Sequence, residues 1–273
     1  MLLALLLAPF VAWQGVGPER PVDPAPLVIG ETFTIQSARL NETRRINVYI
    51  PPGYAESTTT RLPVLYMPDG GIGEDFLHVA GLVQISVMNG TMRPFLLVGI
   101  ENTERRRDMT GPTTSEEDRK IAPRVGGSAA FRAFIRTELM PAIAARYRTM
   151  PESAIIGESL AGLFVVETFL REPDLFDTYI AIDPSLWWNN EALLNSAGEQ
   201  LRSRTVRKRT LYLASSGEPG LAAVTERLAG VLKQGAFPGI EWHHEPMPGE
   251  AHSTIYHPAA LRAFRELFKP AAR

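Results

Sequence analysis

Apolar and polar positions alternate along the first part of the chain, with the period of two that is typical of half-buried β-strands. Residues 31–37 and 45–50 both show this alternation. The segment between them is polar, and a Pro-Pro-Gly turn follows the second. We therefore predict an antiparallel strand pair near the start of the fold.

The next apolar segments are continuous instead of alternating, which is typical of strands that helices bury on both faces. Strand-like and helix-like segments then alternate to the end of the chain, without an internal repeat. The pattern predicts an α/β fold, with helices on both faces of a mostly parallel sheet that begins with an antiparallel hairpin. The predicted strands are 62–67, 95–100, 154–157, 179–182, 210–214 and 240–244, and the predicted helices include 128–148, 160–171 and 258–268.

The first twelve residues form an uninterrupted apolar run that is too short to span a bilayer. A Pro-rich stretch follows, as after the core of a signal peptide. No Lys or Arg precedes the run, so a start site chosen too late, or a buried first segment, is the alternative. We predict a signal peptide and flexible lead-in at 1–26, a single domain at 27–273, and a periplasmic or secreted protein, or a cytoplasmic one if the run is not a signal.

The composition argues against several classes of function. Of 273 residues, 45% are hydrophobic and 21% are charged, which is ordinary for a globular domain. A formal net charge of -2 offers no general attraction for nucleic acid, and no stable membrane insertion is expected. The absence of cysteine excludes disulfides and thiolate catalysis. The oligomeric state stays open.

One segment has the pattern of a nucleophile elbow, a sharp turn that presents a serine between a strand and a helix. The predicted strand 154–157 leads through Gly157 to Ser159, and an apolar helix starts at Leu160. Small residues two positions before and after the serine, Gly157 and Ala161, allow such a tight turn. Ser159 is therefore the candidate nucleophile, and the backbone N–H of Leu160 is a candidate oxyanion donor. The alternative is a serine that only caps the helix.

A serine hydroxyl needs a base, and in this fold the histidine comes last in the chain. His252 lies in a Gly-containing loop between the last predicted strand and the last helix. His243 and His244 fall inside the preceding strand, where structural roles are commoner. His78 comes too early, and His257 is at a helix start. His252 is the candidate base.

The orienting acid is expected just after the predicted strand 210–214, where Glu218 stands. Glu226 lies within the following helix. Glu250 is too close to His252 in the sequence to reach the far nitrogen of its ring. A Ser-His pair without a strong acid is the remaining alternative. The second oxyanion donor is expected from the glycines after strand 62–67, as the N–H of Gly70 or Gly71.

Together these segments resemble the esterase family of α/β hydrolases that includes esterase D, feruloyl esterases, mycolyltransferases and enterobactin-type siderophore esterases. The likeness covers nearly the whole chain after Val28. It implies ester hydrolysis through an acyl-enzyme, without a metal or organic cofactor, and makes Ser159 and His252 catalytic. The segments are RINVYIPPGY (45–54), PVLYMPDGG (63–71), GIENTERRRDMTGP (99–112), GESLAGLF (157–164) and AIDPSLWW (181–188).

Several side chains near predicted strand ends are candidates for substrate contacts, because open α/β sheets bind ligands at that edge. Asp108 and Arg107 belong to the 99–112 segment, which the resemblance places by the pocket. A solvated charge run is the alternative for the arginines. Trp187 is a candidate wall for an acyl or aromatic group, with plain packing as the alternative. Asp183 is expected to fix its loop by hydrogen bonds.

These features favour a serine esterase acting on a small-molecule ester. An acyltransferase would use the same residues. A catalytically silent binding protein on the same fold is the third hypothesis, since fold alone does not prove activity.

Overall fold

The computed structural model describes residues 25–203, 208–235 and 237–270. The predicted signal peptide and lead-in at 1–26 fall almost wholly outside them. Among the described residues, no helix has both the length and the apolar character needed to cross a membrane.

In the described ranges, eight strands form one mixed sheet in the order β1-β2-β4-β3-β5-β6-β7-β8. The pairs β1–β2 and β2–β4 are antiparallel, and every other neighbouring pair is parallel. The predicted architecture, including the N-terminal hairpin, is confirmed. The strands are β1 (Gly30–Ser37), β2 (Glu42–Tyr49), β3 (Leu62–Pro68), β4 (Leu96–Ile100), β5 (Thr149–Glu158), β6 (Thr178–Ile182), β7 (Arg209–Ser216) and β8 (Ile240–Met247).

The helices connect these strands across both faces of the sheet. A π-helical turn, Ile135–Leu139, interrupts the long helix predicted at 128–148. It precedes Pro141, which has no N–H to continue the regular ladder. The helices are α1 (Phe76–Met88), α2 (Arg105–Asp108), α3 (Glu116–Lys120), α4 (Ser128–Phe134), α5 (Met140–Arg146), α6 (Leu160–Arg171), α7 (Trp188–Arg202), α8 (Pro219–Gly235) and α9 (Tyr256–Leu267).

Alternate side chains of the strands enter two apolar clusters, one on each face. Leu65 and Met67 of β3 pack in the cluster that α1 and α9 cover. Val64 and Tyr66 of the same strand pack in the larger cluster under helices α4 to α8. Burial of both faces explains the continuous apolar runs. The carboxyl ends of the parallel strands meet at one edge, where the polar loops of the chain converge.

Candidate active site

The backbone around Ser159 has the strained geometry of a nucleophile elbow. Ser159 stands between the end of β5 and the start of α6, with φ 61° and ψ −121°. Such a conformation is costly for a residue with a side chain and persists only when neighbouring structure holds it. Two backbone hydrogen bonds do so: Ser159 N–H donates to the Ile182 carbonyl, and Ser185 N–H donates to the Ser159 carbonyl, both at 3.0 Å.

The small residues around the elbow are required by close approach of backbones. A Cβ atom at Gly157 would lie 2.7 Å from the Ala161 carbonyl carbon, and one at Gly162 would lie 2.9 Å from the Ile182 oxygen. Larger side chains at these points would push α6 away from the sheet. The predicted elbow therefore has the expected geometry.

His252 is carried to the elbow by the loop between β8 and α9. Its Nε2 atom lies 3.1 Å from the Ser159 Oγ atom, within hydrogen-bond distance. Its Nδ1 atom lies 2.7 Å from Oδ2 of Asp183. The three side chains thus form a continuous chain of hydrogen bonds, hydroxyl to imidazole to carboxylate. This is the arrangement in which a base activates a serine and an acid orients the base.

Two of the other histidines are held in the sheet by local partners. His243 Nδ1 lies 2.8 Å from a Glu266 carboxylate oxygen, and His244 Nε2 lies 3.2 Å from the Ser215 hydroxyl. Both belong to β8. This agrees with the structural roles expected for them.

Asp183 is a fully buried carboxylate just after β6. Its backbone N–H donates to the Ala214 carbonyl at 2.8 Å, and its Oδ1 accepts from the Ser216 N–H at 2.8 Å. Burial alone would raise the pKa of Asp183. Hydrogen bonds from the His252 ring and from the Ser216 backbone and side chain outweigh burial, so this pKa lies below its ordinary value. The carboxylate is therefore ionised at neutral pH.

Glu218 does not occupy the position expected of it. Its Oε1 accepts the backbone N–H of His252 at 2.9 Å, while Asp183 occupies the ring nitrogen. Asp183 follows the end of β6, and Glu218 follows the end of the neighbouring strand β7. Of these two acids, the buried Asp183 is the one that contacts the imidazole ring. The expectation for Glu218 is corrected accordingly: this residue fixes the histidine loop. Asp183 holds its loop through its backbone N–H, as the sequence predicts, and its carboxylate in addition contacts the imidazole.

The three backbone amides predicted as oxyanion donors have different surroundings. Leu160 is the first residue of α6, so its N–H has no intrahelical partner and is available at the elbow. The amides of both glycines are engaged elsewhere. Gly70 N–H donates to the Ile100 carbonyl at 3.0 Å, and Gly71 N–H donates to a Glu74 carboxylate oxygen at 2.7 Å. The expectation that Gly70 or Gly71 donates to an oxyanion is not met in this conformation.

Asp108 and Arg107 belong to a buried ionic network and not to a substrate surface. Asp108 and Arg44 are both fully buried and form an ion pair. Arg107 donates to Asp108 at 2.7 Å and to Glu42 at 2.8 Å, and Glu42 also lies 2.7 Å from Arg44. These bonds join β2 to α2, so both side chains are already occupied. The expected substrate contacts of Asp108 and Arg107 are corrected to a structural role.

Removal of one member of this network is expected to destabilise the protein. Asp108→Ala leaves the Arg44 guanidinium buried without its nearest carboxylate. The expected loss in free energy of unfolding is about 3 to 5 kcal/mol. Urea denaturation followed by circular dichroism measures it. Glu117→Ala, which breaks an exposed pair with Lys120, is the control and should cost less than about 1 kcal/mol. Equal losses in the two variants would contradict the assignment.

The two tryptophans after β6 have different environments. Trp188 is buried and its indole N–H donates to the Gly111 carbonyl at 2.9 Å, so it packs the core. Trp187 keeps 42% of its surface exposed. The Ser185 N–H bond to Ser159 ties this loop to the elbow. Trp187 is thus an exposed aromatic surface on the loop next to the candidate nucleophile.

A cavity of about 400 Å³ borders His252 and Glu158. Two carboxyl groups in its polar lining have raised pKa values. Burial raises the pKa of Glu158 to about 7 and that of Asp75 to about 6. The cavity is lined by Asp75, His78, Glu158, His252, Ser253, Thr254, Tyr256 and His257.

Comparison with known proteins gives a consistent assignment. Residues 37–217 match the family model described as "Putative esterase". The chain is 28% identical over 266 residues to the ferri-bacillibactin esterase BesA of Bacillus subtilis strain 168, covering 88% of this chain and 90% of that protein. It is 31% identical over 208 residues to the siderophore triacetylfusarinine C esterase of Aspergillus fumigatus, covering 69% and 66%.

The fold is likewise shared with solved structures. The IroE-like serine hydrolase from Shewanella oneidensis superposes with a TM-score of 0.80 and 29% identity, covering 88% of this chain and 80% of that one. The sequence resemblance to this family is therefore confirmed. The chain belongs to the esterase family of the α/β-hydrolase fold and is a serine hydrolase of carboxylic esters.

Proposed function

We propose that Ser159, His252 and Asp183 form the catalytic triad of this esterase. The observation that carries the proposal is the chain of hydrogen bonds, 3.1 Å and 2.7 Å long, that starts at a serine on a strained elbow. The Ser159 oxygen attacks the ester carbonyl carbon while its proton moves to His252 Nε2. The imidazolium then protonates the leaving alcohol, and an acyl-enzyme remains.

Deacylation follows the same steps with water. His252 takes a proton from water, whose oxygen attacks the acyl carbon, and the proton returns to Ser159 Oγ as the acid leaves. Each tetrahedral intermediate carries an oxyanion. The Leu160 N–H at the start of α6 supplies one donor, and the positive end of the helix adds electrostatic stabilisation.

We further propose that the substrate is an ester-linked siderophore. Two kinds of observation support this class. The relatives are named as esterases of ferri-bacillibactin and triacetylfusarinine C. Trp187 is an exposed indole that follows the loop which Ser185 ties to the elbow. An indole face suits flat aromatic or apolar parts of such a ligand.

The substrate proposal is tested by comparing hydrolysis rates. Bacillibactin and triacetylfusarinine C, each with and without iron, are incubated with the enzyme beside p-nitrophenyl esters of graded acyl length. The products are separated, and their masses are measured by mass spectrometry. We expect kcat/KM for at least one siderophore to exceed that for every simple ester by tenfold or more, about 1.4 kcal/mol of transition-state binding. Turnover of simple esters alone would contradict the siderophore assignment.

The rate is expected to rise with pH as His252 loses its proton. The hydrogen bond to Asp183 raises the pKa of His252 above its ordinary value of 6.5, and nearby Glu158 and Glu218 act in the same direction. A base must be neutral to accept the serine proton, so a raised pKa moves the rise in kcat/KM to higher pH. A kcat/KM profile across neutral pH should have its midpoint above 6.5. A midpoint below that value would contradict the argument.

We also propose export from the cytoplasm, supported by the apolar run at residues 1–12. Expression of the full chain with a C-terminal tag, followed by N-terminal sequencing of the mature protein, tests this. Retention of Met1 in the cytoplasmic fraction would contradict it.

A further inference from the structure

The residue immediately before the candidate nucleophile faces the catalytic imidazole. Glu158 ends β5, and its Oε1 lies 3.3 Å from His252 Nδ1. This is the nitrogen that Asp183 binds at 2.7 Å. The Glu158 side chain is only 16% exposed and that of Asp183 is fully buried. Two carboxyl groups from different strands therefore converge on one ring nitrogen.

The surroundings of Glu158 leave the imidazole as its nearest cationic partner. Arg105 of α2 also acts on it, but that guanidinium donates two hydrogen bonds, at 2.7 Å and 2.8 Å, to the Asp69 carboxylate. The acidic and phenolic groups that act on Glu158 are Asp75 before α1, Asp183 after β6 and Tyr256 of α9. His78 of α1 and His257 of α9 line the same cavity.

We propose that Glu158 is a positioning residue for His252, a second carboxylate that stabilises the imidazolium formed during acyl transfer and partly replaces Asp183 when that residue is removed. The inference rests on the proposed triad. The Ser159 proton moves to Nε2 in each step, while the Nδ1 proton stays on the ring. Glu158 acts only through charge and through an alternative acceptor for that Nδ1–H.

Charge at this distance is effective because the site is partly shielded from water. At the 3.3 Å separation of Glu158 and His252 Nδ1, opposite charges attract more strongly in such a site than they would in bulk water. Burial raises the pKa of Glu158 to about 7, so its charge appears as the pH rises through neutrality. The pKa of His252 is also raised, above all by its hydrogen bond to Asp183, and the two neighbouring groups titrate as a coupled pair.

Glu218 is a third acid near His252, but it contacts a different part of that residue. It accepts the backbone N–H. It can hold the loop without meeting the ring. Glu218 thus acts on the imidazolium through its charge alone. Of these three acids, Asp183 and Glu158 are the ones that contact the Nδ1 atom.

The first test measures the pKa of the His252 ring by NMR and needs no turnover. The wild type is compared with Glu158→Gln, and the His252 signal is assigned by its loss in His252→Gln. We expect Glu158→Gln to lower the pKa of His252 by roughly half a unit or more. Glu226→Gln removes an exposed carboxylate of α8 and is the control, with no shift expected. An unchanged pKa in Glu158→Gln would overturn the inference.

The second test is a double-mutant cycle on ester hydrolysis at about pH 8, where Glu158 is largely ionised. Glu158→Gln should lower kcat about three- to tenfold in the wild-type background, with KM nearly unchanged. In the Asp183→Asn background the same substitution should cost at least about tenfold more than it does in the wild type. A role in packing alone predicts equal factors in both backgrounds and at every pH, and that result would overturn the inference.

The outcomes separate this inference from the proposed function. Wild-type hydrolysis that survives Ser159→Ala would overturn the triad itself. Hydrolysis that Ser159→Ala abolishes, together with a His252 pKa that Glu158→Gln leaves unchanged, would overturn only the role of Glu158.

Discussion

Ser159→Ala is expected to lower kcat for ester hydrolysis by about 10⁴- to 10⁶-fold, the range that removal of a serine nucleophile produces. The hydroxyl is the only atom group removed, and His252 Nε2 then has no proton to accept at 3.1 Å. The backbone strain at this residue stays, since alanine also carries a Cβ. Stopped-flow or steady-state release of p-nitrophenol from an acetyl ester measures the loss.

Ser203→Ala is a suitable control, because Ser203 lies at the end of α7 and, within the described part of the chain, its hydroxyl donates only to the Gln200 carbonyl. Its rate should equal that of the wild type. A fluorophosphonate should label the wild type and Ser203→Ala at one serine each, and leave Ser159→Ala unlabelled. A loss of less than about tenfold in Ser159→Ala would rule out this nucleophile.

Asp183→Asn is expected to lower kcat/KM by about 10² to 10⁴-fold, because the amide removes the charge that holds the imidazolium and its tautomer. The lower limit of this range applies if Glu158 partly replaces the lost carboxylate. The pKa of His252 should fall in the same variant, since the bond to Asp183 is the largest influence that raises it. Kinetics at several pH values give both quantities.

Glu218→Gln is the matched comparison for that variant. Its amide oxygen still accepts the backbone N–H of His252, so the loop position is kept. We expect less than about a fivefold change in kcat/KM, the scale of a weak, partly exposed interaction. Similar losses in Asp183→Asn and Glu218→Gln would show that the acid cannot be assigned from this geometry.

The sequence predicts the parts of this site that depend on local pattern. The elbow needs a strand, small residues and a helix within about a dozen positions, and all are contiguous around Ser159. His252 is found because its loop lies between the last strand and the last helix. The alternation and the continuous apolar runs give the sheet and its N-terminal hairpin for the same reason.

The sequence does not predict contacts that join distant loops. Asp183 and Glu218 each follow a strand end, and only the three-dimensional course of the loops decides which one meets the imidazole. Asp108 pairs with Arg44, a residue of β2 that is remote in sequence, so an Arg-rich loop could not be recognised as a buried network. Likewise, the Gly70 N–H already donates to the carbonyl of Ile100 at the end of β4.

The three members of the proposed triad stand at the ends of different elements: Ser159 after β5, Asp183 after β6, and His252 beyond β8. Parallel pairing of such distant segments is slow, because the chain must close long loops first. A refolding intermediate in which β8 has not paired would not hold His252 beside Ser159, even if the rest of its core had formed. Recovery of esterase activity after dilution from denaturant should therefore require β8 to have paired with β7, so activity reports the assembly of this edge of the sheet.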